Sequence, residues 1–266
     1  VIRSTFRLAP GVGASMESRI WATGALRWDD LPAPPATVIS PRVDGRIREA
    51  VARARALLEA RDAGGLAAML PRNERWRLYG AFVEEAAFLD VEADGDALLA
   101  VGVLDARGPH VYLAGRDLPE LPARVEGWKV LVTFNGLAFD VPVLRRAFRG
   151  LALPRAHVDL RHLWARLGHD GGLKVLEHAQ GLRRPPYLDG LDGAGALRLW
   201  GAQLAGEPGA LRAFAEYNLL DTVHLRTLAD RGYNRMIERL RLPAPRVPVT
   251  EPGDLRYDVT RWLLAL

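Results

Sequence analysis

The stretch AAFLDVEADGD, residues 86 to 96, carries carboxylates at Asp90, Glu92, Asp94 and Asp96, one at every second position. Alternate residues of a strand point to one face, so these acids would crowd together after the apolar run 86–89. Hard divalent ions such as Mg²⁺ and Mn²⁺ take oxygen ligands of this kind. Two such ions, about 3.5–4 Å apart, can activate a water and stabilise the leaving oxygen of a phosphodiester. A centre of that type needs further acids from elsewhere in the chain. VLVTFNGLAFD supplies Asp140 in the first turn of a predicted helix, just past a predicted strand that ends at Phe134. Open α/β sheets commonly place their sites at that end of a strand. AEYNLLD puts Tyr217 and Asp221 four residues apart, hence on one helix face. Asp221 falls beside Phe214 and Leu225, at the edge of the core-facing side, where a solvated acid has no reason to be. HVDL ends a short predicted strand at Asp159, which reads as structural.

The elements that must position these residues follow from periodicity. Strand-like runs occupy 86–91, 98–104, 110–113 and 129–134, with a short one at 157–160. Helical spacing occupies 44–70, 139–149, 160–167, 173–180, 194–204 and 210–230. The order predicts a three-strand meander, a fourth strand, and then helices around a mixed sheet, an α/β architecture. Residues 1–42 read as a small helical unit ending in the Pro-rich LPAPPATVISPR, 43–80 as linker and helix, 81–232 as the α/β domain, and 233–266 as an Arg- and Pro-rich C-terminal extension.

Bulk properties narrow the function. The chain has 266 residues, 49% of them hydrophobic, so a sizeable core is expected and global disorder is not. No apolar run approaches the roughly 18 residues of a membrane span. The first residues, VIRSTFRLAPGVG, lack the unbroken apolar stretch of a secretory signal, and the expectation is a cytoplasmic protein. Cysteine is absent, which excludes disulfides, thiolate metal sites and a Cys nucleophile. The net charge is +4 and the pI about 9.7, which suits a polyanionic partner. Only Lys129 and Lys174 are lysines, and a GC-rich genome accounts for that Arg bias better than function does.

The set FLDVE … FNGLAFD … YNLLD resembles the three motifs of the DEDD 3′–5′ exonucleases, the DnaQ-like group of the ribonuclease H-like superfamily. The similarity is greatest to its YprB-like branch, and it extends to HVDLRHLWARLGHDGGLKVLEHAQGLRR and to GVGASMESRIWATGALRWDD. The resemblance implies a ribonuclease H-like mixed sheet flanked by helices. It implies a hydrolase with two Mg²⁺ or Mn²⁺ ions, acting as a 3′–5′ exonuclease on single-stranded DNA or RNA. It assigns the metal carboxylates to Asp90, Glu92, Asp140 and Asp221. Asp90 would bridge both ions, Glu92 and Asp221 would hold the ion that binds the attacking water, and Asp140 would lie near the second. Tyr217 matches the residue that orients the water, at the Tyr-x-x-x-Asp spacing of the tyrosine subclass, where the YprB-like branch often carries His. A second departure is Ala93-Asp94-Gly95, where the family continues with Thr residues and then Gly. Asp94 would bring a negative charge toward the substrate phosphate. LAPGVGASMESRIW is similar to a helix–hairpin–helix element, in which Gly11 and Gly13 would let backbone N–H groups approach a phosphate without reading sequence.

Several residues carry two readings from sequence. Asn135 either caps the following helix or touches substrate. Lys174 either touches substrate or forms a surface pair with Glu177, three residues on. Tyr217 is either catalytic or a core tyrosine. Asn218 faces the core side and would tie backbone to the site. Arg145, Arg146 and Arg149 either line a nucleic-acid groove or form a solvated face. The six histidines show no metal spacing and read as structural or exposed. For the whole chain, the alternative to a nuclease is a catalytically degenerate nucleic-acid-binding module with the same fold.

Overall fold

A computed structural model describes residues 1–255 and Val259. Its α/β framework is one five-stranded mixed sheet in the order β3-β2-β1-β4-β5. β1 (Ala86–Asp94), β2 (Ala97–Asp105) and β3 (Gly108–Leu113) form the antiparallel meander. β4 (Val130–Thr133) and β5 (Ala156–Asp159) add in parallel beside β1. β1 is thus the middle strand, buried on both sides along 86–89, which is why its sequence there is apolar at every position. Gly95 turns the first hairpin with φ 57, a conformation that favours glycine. Just before it the register slips between Glu92 and Ala93, where Ala100 and Leu98 face consecutive residues of β1. Such a bulge ends regular pairing and increases the local twist.

The helices are α1 (Ala14–Ala22), α2 (Pro41–Glu59), α3 (Ala63–Met69), α4 (Leu121–Val125), α5 (Asp140–Ala147), α6 (Leu160–Arg166), α7 (Leu173–Ala179), α8 (Gly193–Leu204) and α9 (Ala210–Leu240). The single helix expected over 44–70 is two. Arg61 adopts φ 53, and Asp62 then caps α3 by accepting from the Gly65 N–H at 2.7 Å. The start of α2 lies at Pro41, preceded by the N-cap Ser40. Its Asp44 accepts backbone N–H groups from Val38, Ile39 and Ser40. α9 runs ten residues past the end expected at 230. It packs across β1 and β2 and meets α6, α7 and α8, so its middle is buried nearly all round. Beyond it, Asn234 exchanges two hydrogen bonds with Val247, and Thr250 bonds Asp230 and Thr227, strapping 243–251 back along the helix. The expected extension beyond residue 255 lies, Val259 apart, outside the described residues.

The largest apolar cluster joins the leading segment to the sheet: Phe6, Ile20, Trp28 and Ile47 belong with Tyr79, Phe88, Val132 and Leu228. A buried ion network crosses the same region. Arg77 donates to Glu17 of α1 at 2.8 Å and to Glu74 at 2.7 Å, all three side chains being about 2% exposed. Glu17 also accepts from the Thr5 hydroxyl and the Phe6 N–H, and Arg7 and Arg166 reach Glu74. Among the described residues no helix is long and apolar enough to cross a membrane.

Candidate metal centre

Asp90 and Glu92 project from one face near the carboxyl end of β1, and Asp221 comes from the middle of α9 above them. One carboxylate oxygen from each lies within 4.8 Å of the others, a spacing that suits a shared divalent cation. The donors are hard oxygens, as Mg²⁺ or Mn²⁺ would require. Asp140, the first residue of α5, lines the same cleft of about 500 Å³ together with Tyr217, Asn135, Lys174, Phe134, Phe139 and Arg161. Asp140 stands outside the tight oxygen group formed by the other three.

These acids are held against their own repulsion. Burial, then the charges of Asp221, Glu92 and Asp140, push the Asp90 carboxyl well above the usual range. Burial and Asp221 raise Glu92 to about 8. Burial, with Asp159 and Asp221, raises Asp140 to about 7, against the lowering pull of its own backbone N–H and that of Val91. Burial, Asp221 and Glu92 also drive the Tyr217 phenol upward, so it stays protonated and is a donor, not a base. A cluster of this kind is what a cation of charge two would relieve.

Two basic side chains partly answer the charge. Lys174 of α7 and Arg184, in the loop after α7, both donate to Asp221 Oδ1. Both also sit over the Tyr217 ring, at 4.4 Å and 5.3 Å from its centroid. Arg184 is in turn forked onto Glu177, with Nη2–Oε1 2.6 Å and Nε–Oε2 3.0 Å. Burial pushes the Glu177 carboxyl up, but hydrogen bonds from His224, whose Nδ1 lies 2.9 Å away, and from Arg184 outweigh it and hold it at about 2. The surface pair of Lys174 with Glu177 is therefore replaced: Glu177 faces inward and belongs to Arg184 and His224, and Lys174 belongs to Asp221. The reason is that α7 packs against α9, which turns Glu177 toward the buried side.

Asn135 lines the cleft but its side chain caps no helix. It adopts φ 62, which Asn tolerates better than most residues, and its Oδ1 accepts from Arg161 at 3.0 Å. Asp159 is structural, as its position suggested: it accepts from the N–H groups of Asn135, Leu137 and Arg161 and so pins the turn that leads into Asp140. Asn218 donates to both the carboxylate and the carbonyl of Asp90. Asp94 lies past the bulge at the exposed end of the hairpin, opposite Ala97, and is not among the residues that line the cleft. Asp96 is exposed beside Arg146, at 3.2 Å. Gly11 and Gly13 line a separate groove with Arg7, Arg46 and Arg53 that shares no residue with the acidic cleft.

Three contributors escaped the sequence reading. Gly102 pairs with Asp90 in the sheet, and a Cβ there would lie 2.1 Å from Thr222 Oγ1 and 2.6 Å from Asn218 Oδ1. A glycine inside the apolar strand ALLAVGVLD was the available signal for such a close approach. Phe139, 44% exposed, lines the cleft beside Asp140. Arg184 gave no signal, because nothing in GLRRPPY distinguishes it from Arg183, which is exposed.

The family model of the RNase_H superfamily matches residues 87–233. No curated protein matches the chain. Among solved structures, the chain is similar to the family B DNA polymerase from the hyperthermophilic archaeon Pyrobaculum calidifontis, at 16% identity and a TM-score of 0.42. That similarity covers 57% of this chain and 24% of the polymerase chain, so this chain corresponds to about a quarter of that protein's length.

Proposed function

This chain belongs to the RNase_H superfamily, and we propose that it is a metal-dependent nuclease, hydrolysing phosphodiester bonds of single-stranded DNA or RNA from the 3′ end. The observation that carries this reading is the convergence of Asp90, Glu92 and Asp221 oxygens within 4.8 Å, in a cleft that also holds Asp140 and Tyr217. Asp90, Glu92 and Asp221 would hold Mg²⁺ or Mn²⁺, with Asp140 serving a second ion. Such ions, when bound, lower the pKa of a water and stabilise charge on the leaving 3′ oxygen.

The chain's own residues set the geometry. Asn218 fixes the Asp90 carboxylate from α9, the helix that also delivers Asp221. Tyr217, a neutral phenol, orients the attacking water by donating or sharing a hydrogen bond. Asn135 and Lys174, which flank Asp140 in sequence and both line the cleft, would meet substrate phosphate and sugar. The exposed ring of Phe139 offers a face on which a terminal base can stack. Asp94, whose charge sets this chain apart from the family pattern, lies at the exposed hairpin end and is not among the residues that line the cleft.

The test uses end-labelled single-stranded DNA and RNA, with Mn²⁺ or with chelator, beside Asp90→Ala. A metal-dependent ladder growing from the 3′ end and lost in the variant is expected. Internal cuts on a circular substrate would replace the exonuclease by an endonuclease, and no cleavage under any divalent ion would overturn the reading.

A further inference from the structure

Asp221 holds two cations, and they differ in what else restrains them. Arg184 is 5% exposed along its side chain and is locked to Glu177, which His224 holds in place from α9. Lys174 is 31% exposed, and Asp221 is its one hydrogen-bond partner among the described residues. It stands at the cleft wall with the acids, on a flexible stem that keeps a compact charge within reach of either the carboxylates or the cleft space. An ammonium on Asp221 Oδ1 and a divalent ion shared by Asp90, Glu92 and Asp221 would repel each other across a few ångströms.

We propose that Lys174 is a resident counter-cation of the acid cluster, one that leaves Asp221 when a divalent ion is held there and then contacts a phosphate of the bound strand. Arg184 does not move with it and remains the positioning residue for Asp221. The inference rests on the metal-dependent reading above and adds a coupling to it: metal occupancy releases the group that grips the substrate, so strand affinity rises with the ion for a reason beyond the ion's own charge.

Two measurements on the full chain test it. In the first, Mn²⁺ is titrated calorimetrically into the wild type, Lys174→Met and Lys174→Arg. Lys174→Met should bind Mn²⁺ roughly fivefold tighter or more, since a competing charge is gone, and Lys174→Arg should return to wild-type affinity or weaker. In the second, a short single-stranded oligonucleotide is titrated in chelator and in Ca²⁺. Lys174→Met should match the wild type in chelator and bind several-fold more weakly in Ca²⁺. Thermal melting checks that each variant is folded. Unchanged or weaker Mn²⁺ binding by Lys174→Met overturns the proposal, as does an equal loss of strand affinity with and without Ca²⁺. If the wild type binds no Mn²⁺ at all, the nuclease reading itself fails and takes this inference with it.

Discussion

Asn218 donates its side-chain amide to Asp90 at 2.9 Å, linking the first acid of the cleft to the helix that carries the last. The two are 128 residues apart in sequence, and no other side chain among the described residues donates a hydrogen bond to that carboxylate. Asn218→Ala should therefore leave all the acids in place but free Asp90 to rotate. Loss of such an orienting partner lowers metal affinity or activity by about 10–100-fold. Steady-state cleavage alongside Mn²⁺ titration measures this, and a variant with wild-type values in both would show that Asp90 is held by something else.

Gly102 admits α9 to the sheet. In Gly102→Ala the new methyl meets Thr222 and Asn218 closer than any real contact allows, so the helix must shift. The expected cost is about 1–3 kcal/mol of stability, read from denaturant unfolding. Activity should fall further than the lost stability explains, because the displaced helix carries both Asn218 and Asp221.

Arg184→Met removes the fork on Glu177 and one cation from Asp221 while leaving both carboxylates buried. Breaking a buried pair in this way costs on the order of 3 kcal/mol. Arg184→Lys should recover little, since an ammonium cannot span both Glu177 oxygens and Asp221. Melting curves of the two variants decide this, and near-wild-type stability in Arg184→Met would deny the anchor role.

The raised acids give the metal-free protein an unusual dependence on pH. Glu92 ordinarily titrates at 4.5 and here at about 8, and Asp140 moves from 3.8 to about 7. Between those values the folded chain keeps protons that the unfolded chain has released, so stability falls as pH rises through the window. Glu177 acts the other way. Held at about 2, it contributes stability that is lost only as pH drops from 4.5 toward 2. Melting temperature in chelator should decline from about pH 5 to about pH 8, and added Mn²⁺ should stabilise more at the upper end. A flat or rising profile in chelator would contradict the crowded, buried state of these carboxylates.

Phe139→Ala tests the stacking surface. Each stacked base is worth about 1–3 kcal/mol in single-strand binding. Oligonucleotide affinity in Ca²⁺ should fall by that amount while Mn²⁺ affinity stays unchanged.

The three-strand meander and the mixed α/β sheet were legible in sequence. Strand alternation, the acid after a strand end and the acid amid an apolar helix face marked Asp90, Glu92, Asp140 and Asp221 as candidates, while their meeting in one cleft was an expectation that needed the family resemblance. The family match over 87–233 agrees with the α/β framework expected there. What escaped depends on non-local packing. The inward turn of Glu177 follows from α7 lying on α9, which spacing within LKVLE cannot express. The place of Asp94 at the exposed hairpin end goes with a one-residue slip against β2, which appears only once two strands are paired. Asn135 was read as a cap or a contact, and its backbone at φ 62 supplies the third explanation for the residue type.

Arg77 sits where α1 meets the segment that leads into β1, bonded to Glu17 on one side and Glu74 on the other. Were the leading residues to melt first, a fully buried guanidinium would lose one of its two carboxylates, and the apolar cluster running from Phe6 to Leu228 would be cut open. Partial unfolding along that line is thus strongly disfavoured, and the front of the chain and the sheet should share one cooperative transition. A single calorimetric endotherm, with protection of the α1 amides matching that of β1 in hydrogen exchange, is the signature of such a joint fate.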